Sequence, residues 1–113
     1  MERVSLEKLE RRVVAATGGD AELDRLIRDT LDAGNEASPG YSSSVDDCIA
    51  LIGTVLPGWA WHVGHGARGI FPYASLHPKS PAEGRSELRA EATAATVPLA
   101  LLQALVKALL LKN

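Results

Sequence analysis

Residues 64–69, GHGARG, have the glycine spacing of a phosphate-binding loop, which would hold the pyrophosphate of a dinucleotide. Such a loop must open a helix, because the pyrophosphate rests on the amide groups of the helix N-terminus. The segment that follows here, IFPYASLHP, has strand composition and two prolines. The sequence therefore predicts that these glycines belong to a hairpin, with its turn at residues 66–69, and that no cofactor is bound.

Three histidines are the only imidazoles that could bind a metal ion or transfer protons. In an extended strand, His62 and His65 face opposite sides of the sheet and cannot reach one metal ion without a bulge. His77 could approach His65 across a hairpin, yet no Asp, Glu or Cys is placed by sequence to complete a site. We therefore predict no metal site.

The possible nucleophiles lack the surroundings that would activate them. The serines at residues 42–44 have no GxSxG context. Cys48 is the single cysteine and falls on an apolar helical stripe, where a buried thiol is inert. The acidic pair Asp46 and Asp47 is explained by its position at the start of a helix. The sequence predicts that the protein is not an enzyme.

Aromatic side chains gather on the predicted hairpin. Such a cluster suits the core beneath a helix, and it equally suits an exposed platform for a base, a nucleotide or a protein partner. The sequence leaves both interpretations open. If the hairpin binds a ligand or partner, the predicted binding residues are Trp59, Trp61, His65, Arg68 and Tyr73.

A capped helix leads into this hairpin. Ser44 is a good N-cap, and Asp47 three residues later predicts a capping-box-like pair, with a helix from about Val45. Residues 57–58, Pro-Gly, end that helix. A strand is expected over residues 59–66, because the apolar period changes there from helical to alternating.

Two helices are expected at the N-terminus, over residues 1–33, with Ser5 and Asp20 as their N-caps. Residues 34–43 are rich in Gly, Ser, Asn and Pro and predict a connector. Residues 44–113 then form the core of one domain that spans residues 1–113.

Beyond the hairpin turn, residues 70–77 predict a second strand, in which Pro72 requires either an edge position or an amide position turned away from its neighbour. Residues 86–92 allow a third strand or a short helix, and we favour the strand. A last helix capped by Thr96 covers residues 96–111. The predicted fold class is α+β, with helices packed on a two-to-three-stranded antiparallel sheet in the order α-α-α-β-β-(β)-α.

The last helix is apolar nearly all round, with Gln103 and Lys107 as its polar stripe. Such a helix is buried on several sides, spans a membrane, or packs against another subunit. The run is short of twenty residues, so we predict no membrane insertion. Burial against the sheet and a second subunit predicts a homo-oligomer, with an interface at Leu102, Val106 and Leu110.

Composition narrows the range of partners. Of the 113 residues, 46% are hydrophobic, which indicates a globular domain. The formal net charge of -2 provides no overall electrostatic attraction to phosphate backbones. The start of the last helix lacks the lysine cluster of double-stranded-RNA-binding domains, so nucleic acid is not an expected partner. The N-terminal sequence does not resemble a secretory signal, which predicts a cytoplasmic protein.

Three short motifs carry a family resemblance: ATGGDAELD at residues 16–24, YSSSVD at residues 41–46, and LPGW at residues 56–59. With the alanine- and leucine-rich last helix, they resemble the small phage and prophage proteins of the phage ABA sandwich domain family. The resemblance covers most of the chain, although residues 65–91 match little. It implies a sheet with helices packed on it and a viral origin, and it implies no chemistry.

These observations together predict a phage- or prophage-encoded binding protein that acts without catalysis in the bacterial cytoplasm. The expected partner is a host protein or protein complex, and the sharpest form of this hypothesis is an inhibitor of a host defence system, of the anti-CRISPR type. The alternative is a protein that sequesters a small ligand or nucleotide on the aromatic hairpin.

Overall fold

The computed structural model describes residues 3–31, 40–65, 72–79 and 89–112. These residues form an α+β fold with helices packed on an antiparallel sheet, which confirms the predicted fold class. The elements are α1 (Arg3–Ala15), α2 (Ala21–Leu31), α3 (Val45–Val55), β1 (Trp59–His65), β2 (Pro72–Pro78), β3 (Ala90–Thr93) and α4 (Val97–Lys112).

Asp20 caps α2, as predicted. Its Oδ1 accepts hydrogen bonds from Glu22 N at 2.8 Å and Leu23 N at 3.2 Å. The amides of Leu23 and Glu22 favour the ionised carboxylate, and they lower the pKa of Asp20 below its ordinary value. The start of α2 is therefore set by a local sequence signal.

The start of α1 differs from the prediction. The helix begins at Arg3, so Ser5 lies inside it and is not its N-cap. The earlier start places Arg3 one turn before Glu7, to which it forms an ion pair at 3.1 Å. Arg3 also donates a hydrogen bond to Leu110 O at 3.3 Å. Capping by Ser5 would begin α1 after residue 5. The observed helix already includes Arg3, which contacts both Glu7 and α4.

The start of α3 confirms half of the predicted capping box. Ser44 Oγ accepts a hydrogen bond from Asp47 N at 3.2 Å, as an N-cap should. The Asp47 carboxylate does not return a bond to Ser44 and instead accepts one from Gly40 N at 2.9 Å. The shorter Asp side chain thus ties the preceding segment to the helix rather than closing the box.

The sheet has the order β1-β2-β3, and both neighbouring pairs are antiparallel. β2 is therefore central, so Pro72 is not on an edge strand. The structure has the other predicted alternative, in which the nitrogen of Pro72 faces away from the neighbouring strand β1. Pro72 and Pro78 are the first and last residues of β2. Pro72 O accepts a hydrogen bond from Ala94 N at 3.2 Å, and proline can donate none in return. In the described part of the third predicted strand, Ala90–Thr93 is a strand as expected.

Helix α4 lies at the centre of the molecule. One side packs on the sheet, mainly on β2 and β3, and other sides contact α1 and α3. Leu102 and Val106 are each 1% exposed, and Leu110 is half-buried. The layers of the chain itself thus cover most of the apolar circumference. Leu102 and Val106, predicted at an oligomer interface, lie inside the chain and present no surface to a second subunit.

Membrane crossing requires a longer apolar helix than any found in the described ranges. The longest of these helices, α4, has 16 residues.

Two glycines should respond to alanine with opposite signs. Gly58 has φ of 83°, where a Cβ is strained, whereas Gly53 lies inside α3. At neither position would an added Cβ come within 4 Å of the atoms packed around it, so packing does not oppose either change. We expect Gly58→Ala to lower the free energy of unfolding by about 1 kcal/mol and Gly53→Ala to raise it by about 0.5 kcal/mol. Urea denaturation followed by far-ultraviolet circular dichroism measures both, and a shift of the same sign in the two variants would contradict this account.

Candidate functional site

The two tryptophans of β1 share one face of the sheet but differ in exposure. The register pairs Trp61 with Leu76 and Val63 with Ala74, so these side chains point to the face covered by α4. Trp59, at the start of the strand and near α3, is 9% exposed and belongs to the core. Trp61 is 43% exposed, because α4 lies mainly over β2 and β3. Of the two, only Trp61 offers a surface to a partner.

The other predicted binding residues do not join Trp61 on one platform. Tyr73 pairs with Gly64 and points to the opposite face, where its ring lies 5.7 Å from that of His62. His65 is exposed at the end of β1, opposite Pro72, and shares the face of Trp61. Arg68 lies outside the described residues. The described aromatic side chains of the hairpin, Trp59, Trp61 and Tyr73, are thus divided between the core, the strand edge and the far face of the sheet.

The hydrogen-bond register of β1 can be read from one bond beyond the strand. Lys79 N donates to Gly58 O at 2.8 Å, and these residues extend the pairing of β1 with β2 by one position. Hydrogen-bonded and non-hydrogen-bonded pairs alternate in antiparallel sheets, so His62 bonds to β2 while its neighbours do not. The backbone N–H and C=O groups that point away from β2 belong to Trp59, Trp61, Val63 and His65.

β3 forms the opposite edge of the sheet. Because Ala94 N bonds to Pro72 O, the backbone groups of Glu91 point away from β2. Lys107 Nζ donates to Glu91 O at 3.0 Å. Arg89 lies beside this edge and forms an ion pair with the Glu91 carboxylate at 2.6 Å. Charged side chains and a lysine bond of this kind block a strand edge against further pairing.

β1 carries no such protection among the described residues. Its sequence, WAWHVGH, contains no Lys, Arg, Asp, Glu or Pro, the residues that usually blunt an edge. No described strand pairs with its outer side. We name the outward backbone groups of β1 together with the exposed Trp61 indole the β1 edge. It can accept another extended chain as a neighbouring strand.

A groove at the other end of the molecule is a weaker candidate. It is lined in part by three cationic side chains, and each of them already has a partner: Arg3 has Glu7, Arg89 has Glu91, and Lys107 has the Glu91 carbonyl. Glu10 adds further negative charge to the lining. The groove therefore does not concentrate positive charge for an anionic ligand.

The single thiol is held inside the core. Cys48 is buried and its Sγ donates a hydrogen bond to Tyr41 O at 2.9 Å. Burial disfavours the thiolate, and the nearby Asp47 carboxylate adds to this effect, so the pKa of Cys48 rises from 9.0 to about 12. A thiol in these surroundings is a poor nucleophile. In the ranges that the structure describes, no group of His, Cys, Asp and Glu side chains could hold a metal ion.

Comparison of the chain with protein-family models, with curated proteins and with solved structures finds no match. Within the described residues, the fold is that of an α+β protein in which the edge of β3 is blocked and the edge of β1 has no neighbouring strand. The resemblance to the phage ABA sandwich domain family stays a prediction.

Sequence reasoning did not identify the β1 edge, although a signal for it was present. Pro72 and Pro78 lie an even number of residues apart, so in one continuous strand both missing amides fall on the same side. β2 therefore keeps its amides on the side away from the two prolines, and this side pairs with β1. Because pairing alternates along a strand, His62 then bonds to β2 and the backbone groups of Trp61 point outward. What the sequence could not supply is the side of the sheet on which β3 lies.

Proposed function

We propose that this chain is a non-enzymatic binding protein that captures an extended segment of a partner protein at the β1 edge. The segment adds to the sheet as a further strand, so that its backbone bonds to the outward groups of Trp61 and Val63. This mode of recognition takes affinity from the backbone and specificity from alternate side chains. The single observation that carries the proposal is the contrast between β3, which Lys107 blocks, and β1, which carries an exposed tryptophan.

Trp61 is the proposed anchor of the complex. The Trp61 side chain is partly packed on the sheet, so it loses little conformational freedom on binding. Tryptophan is also among the residue types most enriched at energetic hot spots of interfaces. Val63 lies next to it on the same face and is partly buried against the core. Together they favour apolar side chains at alternate positions of the bound segment.

For the partner, we propose a host protein or protein complex in the bacterial cytoplasm, with the chain as a phage- or prophage-encoded inhibitor of a host defence system, of the anti-CRISPR type. The support for this origin is the sequence resemblance described above. Strand addition suits such a role, because an inhibitor of this kind needs a surface and no catalytic group.

The test begins with capture of proteins from bacterial lysate by the wild-type chain, identification by mass spectrometry, and purification of the captured protein. Calorimetry should then show that Trp61→Ala weakens binding by at least about 30-fold, the effect of losing a hot-spot side chain. Val14→Ala is the matched control, since Val14 is exposed on α1 and should leave affinity unchanged.

Amide hydrogen exchange supplies the positional evidence. The exchange is measured on chain diluted to below about 1 µM, where it is monomeric. On addition of the purified partner, the amides of Trp61 and Val63 should become protected, whereas those of His62 and Gly64 are protected beforehand by β2. Equal affinity of wild type and Trp61→Ala, or a bound complex in which the amides of Trp61 and Val63 stay unprotected, would refute binding at the β1 edge. Calorimetric binding of nucleotides without any protein partner would instead support the sequestering alternative, which rests on the His62 and Tyr73 ring pair.

A further inference from the structure

β1 is complementary to a second copy of itself. Its seven residues, WAWHVGH, have His62 at the centre, with small residues at the next positions on the same face and large apolar ones between them. We propose that, when no partner protein is bound, the β1 edges of two copies pair antiparallel and join the two sheets. This inference rests on the proposed function in one respect, that the β1 edge accepts a neighbouring strand.

The register follows from the outward backbone groups. An antiparallel pair related by a two-fold axis at His62 places Trp61 opposite Val63 of the second copy, and Trp59 opposite His65 of the second copy. All of these residues have outward N–H and C=O groups, so the pairs are hydrogen-bonded and supply about eight backbone bonds. The axis itself falls at a non-hydrogen-bonded pair, where the two His62 side chains meet.

The side chains fit this register on both faces. On the face covered by α4, each copy contributes an aromatic side chain opposite a β-branched one, Trp61 against Val63, which is a favourable cross-strand pair. On the far face, Ala60 lies opposite Gly64 of the second copy, and both residues are small. The Tyr73 ring borders this pair, since a Cβ at Gly64 would lie 3.1 Å from Tyr73 Cε1. A two-fold axis at Trp61 would pair only residues 59–63 and leave the ends of both strands without partners, so it supplies fewer backbone bonds.

The assembly closes on itself. A two-fold axis perpendicular to the sheet keeps α4 of both copies on one side and produces the strand order β3-β2-β1-β1-β2-β3. Both outer strands are then β3, whose edge is blocked by the bond from Lys107 to Glu91. The isologous contact therefore yields a finite dimer and not a filament.

The dimer covers the surface that the partner needs. Trp61 and the outward groups of Val63 cannot pair with a second copy and with a partner segment at once. Dimerisation consequently competes with partner binding, and the apparent affinity for the partner falls as the chain concentration rises above the dimer dissociation constant.

Charge exchange at His62 tests the register. His62 is exposed on the far face, so His62→Glu and His62→Lys should fold normally, which circular dichroism verifies. Sedimentation equilibrium over about 1–500 µM of chain should show the wild-type dimer, because an interface built on one pair of strands is expected to be weak. Each variant alone should dimerise at least about fivefold more weakly, because like charges meet at the axis, and an equimolar mixture should recover association as a heterodimer.

Each outcome decides the inference. A wild-type monomer throughout that range overturns it, and so does dimerisation that neither substitution weakens. A dimer that His62→Glu weakens and the mixture restores supports it. If this dimer forms and no purified partner protects the amide of Trp61 in chain diluted below the dimer dissociation constant, the proposed function fails while the inference stands. If the chain is monomeric and a partner protects the amide of Trp61, the proposed function stands while the inference fails.

Discussion

Leu105→Ala is expected to lower the free energy of unfolding by about 3 kcal/mol, with a fall in melting temperature on the order of 10 °C. Leu105 is fully buried in α4, between the sheet and the other helices. Removing its three outer carbons loses their transfer free energy, and the packed layers around α4 cannot collapse fully into the space that remains. For a domain of this size the change is a large fraction of total stability.

The matched control is Leu111→Ala, in the last turn of the same helix, where the side chain is 52% exposed. The same chemical change there should alter the free energy of unfolding by less than about 1 kcal/mol. Urea denaturation followed by circular dichroism measures both variants. Similar losses at the two positions would mean that α4 is not the centre of the core.

Cys48 is expected to resist alkylation in the folded chain and to make stability fall at alkaline pH. Between the unfolded value of 9.0 and the folded value of about 12, the pKa of the thiol differs by three units, so the folded state holds about 1000-fold less thiolate at pH 8. Iodoacetamide should therefore modify Cys48 only through opening of the structure. Mass spectrometry with and without urea measures the two rates.

The sign of the pH effect follows from the raised pKa. Below pH 9 the thiol is protonated in both states, and the stability associated with it is fully present. Above pH 9 the unfolded chain releases this proton while the folded chain keeps it, so stability falls as the pH rises toward about 12, by up to about 4 kcal/mol over the full interval. Tyr41, whose pKa burial also raises, acts in the same direction above pH 10.

Cys48→Ala separates the thiol from other alkaline titrations. The variant should lose less stability than wild type between pH 9 and pH 10.5, whatever its stability at neutral pH, because the linked proton is gone. Equal slopes in the two chains, or alkylation of folded wild type at the rate of a free thiol, would contradict a buried Cys48.

Local signals in the sequence predicted most of the elements. The hydroxyl of Ser44 and the carboxylate of Asp20 each cap a helix where expected, because a cap acts over three residues and needs no distant partner. Alternation of side chains likewise predicted β1. Two predictions were wrong where contacts outside the helix compete with local ones. Ser5 does not cap α1, whose Arg3 donates a hydrogen bond to α4, and the Asp47 carboxylate accepts a hydrogen bond from Gly40 N and not from Ser44 N.

The candidate site was only partly within reach of the sequence. Composition identified Trp59 and Trp61 as a possible binding surface but could not rank them, since strand parity assigns both to one face. The position of α4 over β2 and β3 decides that Trp59 is core and Trp61 is exposed. The nearly all-apolar surface of α4 likewise predicted contact with a second subunit. In the structure, the sheet, α1 and α3 of the same chain cover most of that surface.

By itself, the sequence determined the kinds of elements, their order and the α+β class, because periodicity, caps and proline positions act within a few residues along the chain. Only the tertiary structure decided which sheet edge is open. Lys107 blocks the edge at Glu91 from 16 residues away in sequence, and no residue does so for β1 in the described ranges. An edge is a property of neighbours in space, and these are set by the packing of the whole sheet against α4.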